Sequence, residues 1–227
     1  MLSRFALYFA VLFIAACTSG NIGLSTISEI TDNGEAAVDS RVLDPSLEYL
    51  RVVTQGRVVL LVLGYVDRDP QGNVESWYSA KGEVIKLQRG RIVGTVGLAT
   101  DWRAVRLPLV PRWADIPVDG FDYARERDEM PGYRFGIRDR VRVRQTKAPD
   151  DSTLKKIAPE SLMWFEEIVV EPLAKPDTRP GRFAVQPMPD GDTVIYAEQC
   201  ITPDLCIAWQ KWPAILSRDA KLSQSRQ

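Results

Sequence analysis

No histidine occurs anywhere in the 227 residues. That absence excludes Ser-His-Asp and Cys-His nucleophile systems, histidine-bearing zinc or copper sites, and any imidazole general base. An excess of one charge is missing as well: 29 Lys+Arg stand against 30 Asp+Glu, a formal net charge of -1. A nucleic-acid binder would need a basic surplus to displace counterions, so nucleic acid is not an expected partner. No apolar run reaches the roughly 20 residues that a membrane-spanning helix requires. GxGxxG, Walker, GxSxG and CxxC metal patterns are all lacking, and the reading therefore includes no cofactor and no metal site. An enzyme built from this chain would have to work with carboxylates, Lys, Tyr or a bound ion.

What is present is an ordinary folded-domain composition, 45% hydrophobic and 26% charged. The length suits one domain that can bury a core without staples. The N-terminus reads differently. Met1 to Arg4 carries one positive charge, Phe5 to Ile14 is apolar, and Ala15 and Ala16 lead directly into Cys17. A run of about 10 residues suits a signal peptide and is too short to span. Ile14-Ala15-Ala16-Cys17 resembles the bacterial lipobox, which implies lipid transfer to the Cys17 thiol and cleavage before it. Two or more acyl chains anchor stably, at about 0.8 kcal/mol per buried methylene. Thr18 after the cysteine, rather than aspartate, favours the outer membrane, with the domain facing the periplasm. The organisation that follows is a signal peptide over 1–16, a flexible tether over 17–40, one β-rich domain over 41–216 and a frayed tail over 217–227.

With Cys17 taken by lipid, Cys200 and Cys206 remain. An oxidising compartment favours their disulfide, clasping the Pro203-Asp204 turn between two strands. Strand signals dominate the domain. Arg57 to Val66 is a β-branched apolar run that reads as buried on both faces. Glu75–Ser79, Glu83–Gln88 and Arg91–Leu98 form a meander with Gly-containing turns. Further strands are expected at Trp102–Leu109, Tyr133–Gln145, Met163–Val170, Arg182–Gln186, Thr193–Glu198 and Leu205–Lys211. Asp44-Pro45 before Ser46–Leu50 predicts a short capped helix. Pro111 to Pro131, dense in Pro, Asp and Gly, predicts a long surface loop. Pro189 to Asp192 predicts a turn. About ten short strands with one or two short helices make the expected fold mainly β, an antiparallel barrel or sandwich-like meander.

Three constellations are candidates for chemistry. Arg138, Arg140, Arg142 and Arg144 recur at period two, so on a strand they share one face, with Ile137, Val141 and Val143 on the other. Such a row of guanidiniums suits an acidic polysaccharide or lipid phosphate. It equally suits cross-strand pairing with acids such as Glu167 and Glu171. Among six tryptophans, Trp77, Trp102 and Trp164 read as core. Trp113, beside Pro111 in the long loop, is the best candidate for an exposed contact. Asp115, Asp119, Asp122, Asp128 and Glu129 are the carboxylates from which a glycan-acting enzyme would draw its pair, although nothing in their spacing fixes a geometry.

The run Leu61–Leu98, LVLGYVDRDPQGNVESWYSAKGEVIKLQRGRIVGTVGL, is similar to a region of the YjbF/GfcB lipoproteins of capsule and exopolysaccharide operons. Trp77, the Ser79–Gly82 turn, the Glu83–Leu87 strand, Gly90-Arg91, Gly97-Leu98 and Asp101 carry the resemblance. Ala197-Glu198-Gln199 and Thr202-Pro203 add a weaker C-terminal match, with alanine where the family has serine. The resemblance implies an outer-membrane lipoprotein assisting polysaccharide secretion beside an outer-membrane β-barrel protein of the same operon. It brings no catalytic residues.

Overall fold

The computed structural model describes residues 35–171, 179–188 and 191–214. Twelve antiparallel strands form one sheet that curls into a nearly closed barrel. In chain order they are β1 (Tyr49–Thr54), β2 (Arg57–Asp67), β3 (Val74–Tyr78), β4 (Val84–Gln88), β5 (Arg91–Val96) and β6 (Asp101–Arg106). They continue with β7 (Phe121–Met130), β8 (Arg134–Thr146), β9 (Met163–Glu171), β10 (Gly181–Gln186), β11 (Thr193–Thr202) and β12 (Leu205–Trp212). The expected mainly-β barrel is therefore the observed fold. Each strand pairs with its sequence neighbour, and β1 pairs with β12. The one break falls between β5 and β6, the two edges of the sheet.

Side chains bridge that break where no ladder does. Asp101 accepts from the backbone N–H groups of Gly97 and Leu98, at 3.1 Å each, and from the Thr95 hydroxyl at 3.0 Å. The Thr95 hydroxyl in turn accepts from the Trp102 N–H at 2.9 Å. Gln199 reaches across the interior from β11 to accept from the Ile92 N–H at 2.8 Å. These bonds satisfy groups that an open edge would leave unpaired.

Two strands arise where other structure is expected. Tyr49–Thr54 is a strand because β2 and β12 pair with it on both sides over its whole length. The Asp44-Pro45 signal produces a turn, in which the Asp44 carboxylate accepts from the Ser46 backbone at 2.9 Å and hydroxyl at 2.7 Å. Phe121–Met130 is a strand inside the expected loop. β2 also departs from expectation. Only Leu60, Leu61 and Val62 are buried, and Gly64 to Asp67 run on exposed.

The end of the expected tether is ordered. Glu35–Asp39 form helix α1, which lays Val38 against Tyr49, Leu60, Val62 and Trp212 on the outside of the barrel. Its acids hold the buried, outward-pointing Arg51, through Asp39 at 2.7 Å and Glu35 at 2.8 Å. The 147–162 connection covers the outside of β10 to β12 and the start of β9, packing Leu154 and Ile157 beside Trp164, Ile195 and Tyr196. The outside of β6 to β8 carries no such cover among the described residues. Cys17, residues 1–34, Pro189-Asp190 and the 217–227 tail lie outside the described residues.

Candidate functional site

A twelve-stranded meander has two ends, and here they differ. At the end carrying the β4–β5 turn, the 107–120 connection folds back over the barrel and inserts Val110, Trp113 and Ile116 into the core. Trp113 forms part of a one-turn helix, Trp113–Asp115. It is 2% exposed, so the expectation of an exposed contact does not hold. Its ring lies 4.7 Å from Phe183 and 5.1 Å from Phe165, centroid to centroid. The Arg91 guanidinium stacks 3.9 Å from the same ring. Hydrogen bonds pin the plug: Trp113 Nε1 donates to the Arg89 carbonyl at 3.2 Å, and Arg89 donates to the Val110 carbonyl at 2.7 Å. The Ala114 N–H donates to Asp192 at 2.8 Å. Gly90, at φ 81°, is needed in the turn beneath, because a Cβ there would meet Val194 at 2.5 Å.

Under the plug lies a buried ion pair, Arg91 Nε to Glu167 Oε1 at 2.7 Å. Burial opposes the charge on Arg91, but Glu167 and the Tyr123 hydroxyl together more than offset it and lift the guanidinium pKa above its ordinary value. Burial, and then the Glu167 charge, raise the pKa of the neighbouring Tyr123 hydroxyl too, so it stays protonated. Glu167 is thus an interior residue, not a partner of the outer arginines.

The opposite end carries the β1–β2, β3–β4, β5–β6 and β11–β12 turns and is open. A cavity of about 590 Å³ occupies this mouth, with Val52, Val59, Leu61, Ile85, Leu98 and Ile207 along its apolar wall. Its lining also takes in Val53, Val58 and Glu35 of the outer face, so it opens around the tip of the β1–β2 hairpin. Polar groups gather at the rim: Thr54, Arg57, Ser79, Lys81 and Glu83. Ser79 and Glu83 bond to each other, while Arg57 and Lys81 make no ion pair among the described residues. The Cys200–Cys206 disulfide staples the β11–β12 hairpin beside the mouth, the two cysteines facing each other in register. On the β6 to β8 side the interior is filled instead by an ion cluster. Asp139 accepts from Arg125 and Arg127 at 2.8 Å each, and Glu129 pairs with Arg127 and Arg134. Burial works against the Asp139 charge, but the two arginines outweigh it and hold the carboxyl below its usual range.

The arginine row lies where its period places it, on the exposed face of β8. Arg138 contacts Glu126 at 3.4 Å, and Arg140 contacts Asp122 at 3.1 Å and Glu171 at 3.3 Å. Arg142 binds Asp122 at 2.6 Å, and Arg144 pairs with Glu166. The hydrogen bond from Arg142, reinforced by its charge and by Arg140, holds Asp122 below the usual carboxylate range. This is a cross-strand ion ladder, with Glu171 a partner as expected and Glu166 in the place anticipated for Glu167.

The acids considered for glycan chemistry scatter. Asp122 is in the outer ladder, Glu129 in the interior cluster and Asp115 on Arg112 at 2.8 Å. Asp128 is on Arg106 at 3.0 Å, and Asp119 is exposed. The mouth has no signal in the sequence, because its lining comes from four strands and the turns between them, whose apolar residues look like any core.

The comparisons with known proteins follow this geometry. The family described as group 4 capsule polysaccharide lipoprotein GfcB, YjbF matches residues 41–207. Among solved structures, the hypothetical lipoprotein YmcC from Escherichia coli K12 has a similar fold, with TM-score 0.55 and 14% identity over 86% of this chain and 91% of that one. No curated protein matches. Residues that carry the resemblance, Arg91, Gly97, Leu98, Asp101 and Gln199, cluster along the β5–β6 break and the plug. With nearly the whole barrel matched, the chain belongs to the YjbF/GfcB family of capsule polysaccharide lipoproteins.

Proposed function

We propose that the chain is an outer-membrane lipoprotein, anchored through Cys17 and facing the periplasm, that assists the assembly or export of a surface polysaccharide without catalysing a reaction. The observation that carries this reading is family membership across residues 41–207. The dispersal of the candidate acids into arginine pairs agrees with an accessory role better than with a hydrolase, which needs two carboxyls across one bond, roughly 5–10 Å apart. Deleting the gene in a strain that makes the polymer should lower surface polysaccharide, and unchanged secretion would contradict the reading.

A second reading, a structural partner of the outer-membrane β-barrel protein, is favoured by the β7–β8 hairpin. There Tyr133 and Phe135, two positions apart, are 74% and 64% exposed and offer two aromatic rings at one hairpin tip. Capture of that barrel protein from native membranes, and its loss with Phe135→Asp, would separate docking from polymer binding. For contact with an acidic polymer, Arg138 is the freest of the row, its side chain 82% exposed.

A further inference from the structure

We propose that the open mouth binds one acyl chain of an anionic amphiphile, the tail in the cavity at the β1–β2 hairpin tip and the charged head at Arg57 and Lys81. A cavity of about 590 Å³ is of the size that holds a small ligand. Its apolar surface is aliphatic, with Val59 and Leu98 half-buried at the cavity and Val52, Leu61, Ile85 and Ile207 buried behind them, and it offers no stacking ring for a sugar. An alkyl chain is the ligand that such a wall recognises, through burial worth about 0.8 kcal/mol per methylene. Head recognition is set by the rim. Its acid Glu83 is engaged with Ser79, and Glu35 with Arg51 and Lys155. The Ser79 hydroxyl leaves the Glu83 charge in place, and Arg57 and Lys81 make no ion pair among the described residues, so the rim sets two positive charges against one negative and its surplus is positive. A carboxylate or phosphate matches it.

The position of the mouth points the same way. Glu35, where the described chain begins, is itself on the cavity lining. On the lipid-anchor reading of Cys17, the described chain thus joins its anchoring segment at a residue of the mouth, which favours contact of the mouth with amphiphiles.

The test uses the full lipidated chain in a non-ionic detergent. It is irradiated with palmitate bearing a diazirine at the tail end, and separately with phosphatidylglycerol bearing the same tail, and adducts are mapped by mass spectrometry. Adducts are expected on Val58, Val59 or Leu98, falling about tenfold under competing unlabelled palmitate present at ten times its dissociation constant. The probe that labels tells a free fatty acid from a phospholipid. Leu98→Trp, which fills the mouth, and the exposed pair Arg57→Glu with Lys81→Glu should each lower the yield several-fold while keeping the wild-type unfolding midpoint. The proposal is overturned by adducts confined to Leu109 and Val118 at the far end, by labelling that competitor does not reduce, or by a yield indifferent to charge reversal. Because the readout is a covalent adduct, its failure leaves the polysaccharide phenotype standing, and the converse also holds.

Discussion

The two ends of this barrel are made from the same strands and solve the problem of a hollow interior in opposite ways. One end is closed by a loop that places Trp113 on Phe165, Phe183 and Arg91 and covers a buried ion pair. The other is left open over an aliphatic wall, with a disulfide where the first end has a plug. A small barrel normally fills its lumen with side chains, so a retained cavity at one end implicates that end in binding. The plug makes the closed end the place to test stability, and the cavity makes the open end the place to test function.

The sharpest way to break this contrast is to remove the plug. Trp113→Ala deletes the ring contacts and the cation–π partner of Arg91 at one stroke, and should cost about 3–5 kcal/mol in denaturant unfolding. A loss under 1 kcal/mol would mean that the plug is ornamental. At the mouth, Cys200→Ser with Cys206→Ser opens a short loop, for which the chain-entropy estimate is about 2 kcal/mol. That loss should appear as a lower unfolding midpoint with an unchanged m-value.

Acid should discriminate the interior cluster from the outer ladder. Asp139 has a folded pKa below its unfolded value, so its contribution is fully present above that unfolded value, near 4. It is lost as pH falls further, through the folded pKa. Wild type should therefore exceed Asp139→Asn in stability at pH 7, with the gap narrowing below pH 4. A gap as wide at pH 2 as at pH 7 would show that the carboxyl acts through shape and not charge. The smallest effect belongs outside the barrel. Arg142→Ala breaks a solvent-screened pair with Asp122, and the unfolding midpoint should not move measurably.

How much of this was legible in the sequence follows from the physics of each segment. Runs of β-branched residues with glycine turns located ten of the strands, and the period of Arg138 to Arg144 placed them correctly on one exposed face. β7 escaped because FDYARERDEM alternates without showing it. Its inward positions include Arg125 and Arg127, which face Asp139 rather than an apolar core. β1 escaped because a six-residue strand is decided by its two neighbours, while Asp44-Pro45 gave a local helix signal that tertiary pairing overrode. Trp113 was misplaced because a Pro-rich loop announces a connection but not where it folds. The mouth has no local signature at all, since Val52, Leu98 and Ile207 come together only when β1, β12 and the β5–β6 turn meet.

The account stands most directly on whether the open end is the working end. A strain lacking the gene, complemented with Leu98→Trp, measures this through surface polysaccharide at matched protein level and unfolding midpoint. The account predicts that filling the mouth leaves the protein folded and anchored but fails to restore the polymer. Full restoration by Leu98→Trp would contradict it.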